Sequence, residues 1–131
     1  MFETLQQREN FVIQLKEYIE SLYTLEDTQI FVFGSFLTED YDLETSDIDI
    51  GVYSTNEIKM YDIKTSLSIY LDEVGIKHDI VIMYLNKHLW INIPIMTYGK
   101  PLTDYAGEEL FEYLLEMVQT YGFNPADRFG E

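Results

Sequence analysis

The chain has 131 residues, 47% of them apolar and 15% aromatic, with a formal net charge of −16 and no cysteine. That length suits one domain with a single core, and the apolar content excludes a disordered chain. The charge disfavours non-specific nucleic-acid binding and an anionic membrane surface, and the lack of cysteine rules out disulfides and thiolate metal sites.

The N-terminal MFETLQQREN has neither a basic start nor an apolar block, and no apolar run reaches the length of a membrane span. A cytoplasmic protein is therefore expected, with small molecules, cations or a basic protein as partners. An amphipathic helix is predicted from about Glu3 to Tyr23. Val12, Leu15, Ile19 and Leu22 recur there at three- and four-residue steps, and Leu5, Phe11 and Tyr18 widen the stripe. A strand is predicted next over Thr28 to Phe33, apolar on both sides as in a strand covered on both faces. Gly34 permits a sharp turn, Ser35 can cap a short helical turn after it, and Glu39 to Ser46 is acidic loop.

Asp47 to Tyr53 is a second strand. Ser54 and Glu57 have capping-box spacing at the start of a helix running to Val74, with Met60, Ile63, Leu67, Tyr70, Leu71 and Val74 on one face and Gly75 as its stop. A third strand is predicted over Ile76 to Tyr84. From Asn86 to Tyr98 a helical pattern carries Pro94, which interrupts it or opens a second short helix. Trp90, Ile91, Ile93 and Ile95 in this stretch are expected in the core. Lys100 to Thr103 has the form of a short edge strand. A last helix, about 106–121, is expected to bury Leu110, Phe111, Leu114, Val118 and Tyr121, before a loose tail over 122–131. The fold class is thus α+β, a small mixed sheet packed with helices, in one domain over 1–131.

Three carboxylates stand in or beside apolar strands: Asp47, Asp49 and Asp79. Strand alternation puts Asp47, Asp49 and Gly51 on one face. Two carboxylates roughly 6.5 Å apart repel by about 2–3 kcal/mol at an effective dielectric near 20. A cation relieves that cost, and oxygen-only ligands suit a hard one, most simply Mg²⁺. If the third strand lies beside the second, Asp79 joins the pair in a cluster able to hold two ions for in-line phosphoryl chemistry. Gly34-Ser35 then lies where backbone N–H groups and a hydroxyl meet a phosphate. Taken singly, each feature is ordinary: a Gly-Ser pair makes turns, and an Asp-x-Asp arises by chance in an acidic chain. His78 should point away from Asp79, and His88 near a helix start has no evident ligand partner.

Gly34-Ser35, eleven residues, Asp47-Ile48-Asp49 and a later strand Asp79 together resemble the nucleotidyltransferase superfamily that includes DNA polymerase beta. The pattern is most similar to the minimal nucleotidyltransferases of bacteria and archaea, with SDIDI at 46–50 and HDIVI at 78–82 as the second and third motifs. The resemblance runs from the first helix to Asp104 and implies a polymerase beta palm-like fold. It implies that Gly34 and Ser35 bind the phosphates of ATP or another NTP, and that Asp47 and Asp49 hold two Mg²⁺ ions. Asp79 would share a metal and help activate the attacking hydroxyl. Many relatives place arginine or lysine after Gly-Ser. Here no Lys or Arg occurs from Thr24 to Asn56, which leaves Lys59, Lys64, Lys77 or Lys87, or a partner, to meet the phosphates.

The implied activity is Mg²⁺-dependent transfer of a nucleoside monophosphate, AMP from ATP, to a hydroxyl of a protein or small molecule. In the minimal family the acceptor belongs to a HEPN-type helical protein, with the transferase as antitoxin of the pair; an oligomer is compatible with this. The alternative is a non-catalytic module of the same fold that neutralises its partner by contact. Binding to membrane or nucleic acid is not expected.

Overall fold

The computed structural model describes residues 2–85, 87, 89–105 and 107–121. Helix α1 spans Leu5–Leu22 and starts at a Thr4 cap, whose hydroxyl accepts from the Gln7 N–H while the Gln7 side chain accepts from the Thr4 N–H. Two antiparallel strands come next, β1 over Thr28–Phe33 and β2 over Ile48–Ser54. Helix α2 spans Glu57–Val74 and strand β3 His78–Ile82, which returns parallel to β2. Helix α3 covers Leu89–Tyr98, β4 is Lys100–Pro101, and α4 covers Glu108–Tyr121. The sheet order is β3-β2-β1-β4. The expected mixed α+β architecture is thus present.

The apolar run of β1 is explained by its place. It lies between β2 and β4 with both faces covered. On one face Ile30, Val32, Ile48, Ile50, Val52 and Ile80 pack against Val12, Leu15 and Ile19 of α1 and Ile63, Leu67 and Leu71 of α2. On the other, Phe31, Tyr53 and Met83 meet Ile95 and Leu110 from α3 and α4.

Several local expectations change. Ser54 ends β2, where its hydroxyl accepts from Thr28 Oγ1 and the Asn56 N–H, so Asn56 caps α2 instead. Asn has the acceptor that a helix start needs, and Ser54 is already engaged by the sheet. Gly75, at φ 84°, ends α2 as expected. Helix α3 continues through Pro94. Trp90 is 65% exposed, whereas Ile93 and Ile95 are buried. In α4 the buried line is Leu110, Tyr113 and Met117, which leaves Phe111 61% exposed and Leu114 and Val118 half-buried. The stripe runs one residue off the expected one because α4 rests on α3 by a narrow seam with Ile93. The Tyr121 side chain, His88 and the tail 122–131 lie outside the described residues.

Gln29 fastens the sheet's outer edge. Buried at the start of β1, its amide donates to the carbonyls of Thr103 and Tyr105, and its oxygen accepts from the N–H groups of Ile30, Leu102 and Thr103. Removing the side chain strands several buried backbone groups at once. Gln29→Ala is expected to lower the unfolding free energy by about 2–4 kcal/mol in urea melts, with no change in nucleotide affinity beyond that of stability.

Candidate active site

The antiparallel and parallel pairings bring the ends of four strands to one rim of the sheet. Asp49 is paired with Phe33 of β1 on one side and with Asp79 of β3 on the other. Asp47 comes just before β2. Lys77, whose carbonyl accepts from the Ile48 N–H, comes just before β3. Across the rim the order is Lys77 and Asp79, Asp47 and Asp49, Gly34 and Ser35, then Lys100, which pairs with Val32. All five expected site residues therefore converge on one edge.

Gly34 and Asp49 are in direct contact. Gly34 sits at φ 70°, and a Cβ built on it would lie 2.2 Å from Asp49 Oδ2. Only glycine allows both this backbone conformation and this approach. Asp49 is half-buried, and burial, then the charges of Asp79 and Asp47, push its carboxyl up to about 6. Asp79 is exposed and Asp47 half-buried. Among the described residues no group of three or more carboxylates or imidazoles closes into a metal-ligating set. The three aspartates thus share one rim and one field without converging on a point. Their all-oxygen donor set and the raised Asp49 carboxyl both fit a hard divalent cation.

The turn after Gly34 is held from below. Thr38 donates to the Ser35 carbonyl through its N–H at 2.9 Å and its hydroxyl at 2.8 Å. Phe36, fully buried, packs edge-on against Phe2, Phe11 and Tyr41. Arg8, only 5% exposed, reaches up from α1. Its Nε donates to the Phe36 carbonyl at 2.7 Å, one terminal nitrogen to the Thr38 carbonyl at 3.0 Å, and the other to the Phe2 carbonyl at 2.7 Å. The guanidinium also lies 4.8 Å over the Tyr41 ring. Burial raises the Tyr41 hydroxyl; Arg8 works to lower it, and Asp47 and Asp42 to raise it further. Sequence reading missed Arg8, although it falls on the α1 stripe with Val12, Leu15 and Ile19. A charged residue in an apolar stripe was the available signal.

The lysines sort by position. Lys59 is bound to Asp27 at 2.8 Å and to the Thr24 carbonyl, at the opposite end of β1 from Gly34. Lys87 lies over the Tyr84 ring beyond the far end of β3. Lys64 is exposed on α2. Lys77 shares an open cleft of about 460 Å³ with Asp47 and His78. Lys100, also missed from sequence, shares a cavity of about 220 Å³ with Gly34, Thr38, Tyr98 and Glu9. A cleft of about 470 Å³ near Lys16 and Thr103 includes none of the rim carboxylates. His78 is structural, bonded to Ser68 Oγ and the Ile76 carbonyl at 3.1 Å each. Tyr70 stacks on Tyr18 at 4.5 Å beside the core.

Against known families, a nucleotidyltransferase domain profile matches residues 12–100, more than half of the chain. This chain belongs to the nucleotidyltransferase domain family. The transferase class expected from the sequence agrees with that membership. Among solved structures it is similar to a toxin–antitoxin complex with AMP-PNP, at 21% identity, TM-score 0.52, and 87% of this chain over 86% of the other. A double aspartate-to-glutamate mutant of an MntA-HpeT toxin–antitoxin complex gives 19% identity and TM-score 0.51, over 87% of this chain and 86% of that one. A third similar structure is a tri-AMPylated Shewanella oneidensis HEPN toxin in complex with an MNT antitoxin, at 21% identity and TM-score 0.49, over 91% of this chain and 87% of that one. No functionally curated protein matches the chain. No described helix of this nucleotidyltransferase is long and apolar enough to cross a membrane.

Two outcomes are expected from the Gly34–Asp49 contact. Gly34→Ala adds a methyl at 2.2 Å from Asp49 in a left-handed backbone, and should lower stability by about 1–3 kcal/mol and displace the carboxylate. Thermal melts give the first effect and a loss of Mg²⁺-dependent stabilisation the second. Asp49 titrates near 6 when folded, against 3.8 ordinarily, so the folded state holds the extra proton between those values. Its contribution to stability is full below the lower value and is lost as pH rises through the upper one. Asp49→Asn should therefore flatten the fall in stability between about pH 4 and pH 6.5, by on the order of 1–2 kcal/mol after allowing for solvent screening.

Proposed function

We propose that this chain, as one nucleotidyltransferase domain over 1–131, transfers a nucleoside monophosphate, AMP from ATP, to a hydroxyl on a HEPN-type helical partner. The observation that carries this reading is the packing of Gly34 on Asp49 with Asp79 alongside, which sets the Gly34-Ser35 turn directly against a carboxylate row. Family membership supports the reaction class. The toxin–antitoxin and AMP-PNP descriptions of a fold neighbour support the nucleotide and the kind of partner.

In this reading Gly34 and Ser35 receive the triphosphate, and the missing Cβ lets it approach Asp49. Asp47, Asp49 and Asp79 would hold Mg²⁺, which when bound offsets charge on the phosphates. Asp79, the most exposed of the three, faces the incoming acceptor and takes the proton from its hydroxyl. The hydroxyl oxygen forms a bond to the α-phosphorus as the bond to pyrophosphate breaks. The acidic surface, at net charge −16, suits a basic partner.

The absence of Lys and Arg from Thr24 to Asn56 favours a second reading, a non-catalytic module that acts by contact alone. Thermal melts with ATP and Mg²⁺ separate the two. The enzyme at ATP near 100 times its Kd should gain about 2.7 kcal/mol, a rise of roughly 8–13 °C for a domain of this size. Asp47→Asn together with Asp49→Asn should abolish that gain. A flat melt for the wild-type protein at every ATP and Mg²⁺ concentration would leave only the contact module.

A further inference from the structure

We propose that Arg8 supplies, from beneath the Gly34-Ser35 turn, the positive charge that the loop itself lacks, and so positions the turn for a polyphosphate. The inference rests on the nucleotide-binding reading above and adds to it a residue outside its motifs. A cation on the apolar stripe of a helix is costly to bury, and packing alone would be served by leucine or methionine. Where such a cation is kept, a carboxylate partner is the common solution. Arg8 has none among the described residues, although Glu39, Asp40, Asp42 and Glu44 lie in the loop it supports. Its donors go to main-chain carbonyls instead, so its charge is solvated by dipoles and not cancelled.

Those bonds also set the polarity of the turn. The Phe36 and Thr38 carbonyls point at Arg8, and the Ser35 carbonyl is held by Thr38. In a trans peptide the following N–H is antiparallel to the carbonyl. The N–H groups of Leu37 and Glu39 therefore face away from Arg8, and the negative ends of their peptides are turned inward. The turn thus presents donors on its outer side, backed by an uncompensated cation. This is the electrostatic arrangement a polyanion requires, achieved without a basic side chain in the loop. Phe36, the residue that follows Gly34-Ser35, is fully buried and plugs the core on the same side as Arg8, whose Nε donates to its carbonyl.

The effect should grow with the charge of the ligand, which separates it from a purely structural role. Titration calorimetry of the full chain with ATP and with AMP, in Mg²⁺, is the test. Arg8→Gln should weaken ATP by about tenfold and AMP by much less, and Arg8→Lys should recover part of the ATP affinity. Equal losses for ATP and AMP in a folded Arg8→Gln protein, or no loss, would overturn the proposal. Should Arg8→Gln not fold, the wild-type Arg8 Nε–H resonance decides: a shift with ATP and none with adenosine supports the role, and no response to ATP overturns it. A wild-type protein that binds neither ATP nor AMP fails differently, because it removes the nucleotide reading itself.

Discussion

The contact between Gly34 and the Asp49 carboxylate is the constraint around which the rim is arranged. A main chain in the left-handed region and a side chain at 2.2 Å from where a Cβ would be leave one residue type for position 34. The contact exists because β1 and β2 pair antiparallel with Phe33 opposite Asp49, so the chain leaving β1 must turn over that carboxylate. Parallel pairing of β3 then puts Asp79 on the other side of Asp49. Turn, carboxylate pair and third carboxylate are brought together by the register of these two pairings.

That register has an electrostatic cost, visible in the carboxyl of Asp49, which burial and then its two neighbours push up to about 6. The same end of the molecule contains Arg8, a buried cation without a carboxylate partner among the described residues. Negative charge gathered on the sheet and positive charge gathered under the turn are separated by the loop that joins β1 to β2. A ligand that is both metal-binding and anionic, such as a nucleoside triphosphate, spans such a separation. The protein's overall acidity conceals this local dipole.

The opposite end of the sheet is built for stability. Lys59 closes on Asp27, where burial works to raise the carboxyl and the bonds from Lys59 and Thr28 more than offset it, leaving it lowered. Gln29 ties β1 to the segment after β4 through both ends of its amide. Rigid anchoring at one end leaves the rim with its two open clefts and its exposed Asp79 and Lys100 as the accessible surface.

The sequence by itself determined the strands and every helix but α3 to within a few residues, the α+β class, and the alternation that puts Asp47 and Asp49 on one strand face. It also showed Gly34-Ser35 as a turn and Asp79 as a strand residue, because those features depend on neighbours within about four positions. Tertiary structure alone decided that Asp79 stands opposite Asp49, that Lys59 belongs to Asp27, and that Lys100 joins Gly34 at a cavity. It also exposed Phe111 and Trp90, and it made Arg8, which the sequence did not single out, the support of a loop 28 and 30 residues away. Periodicity reports which face of an element is apolar. Which element covers that face, and at what register, is set by long-range packing, and the Gly34-Ser35 turn acquires its charge and its carboxylate neighbour only there.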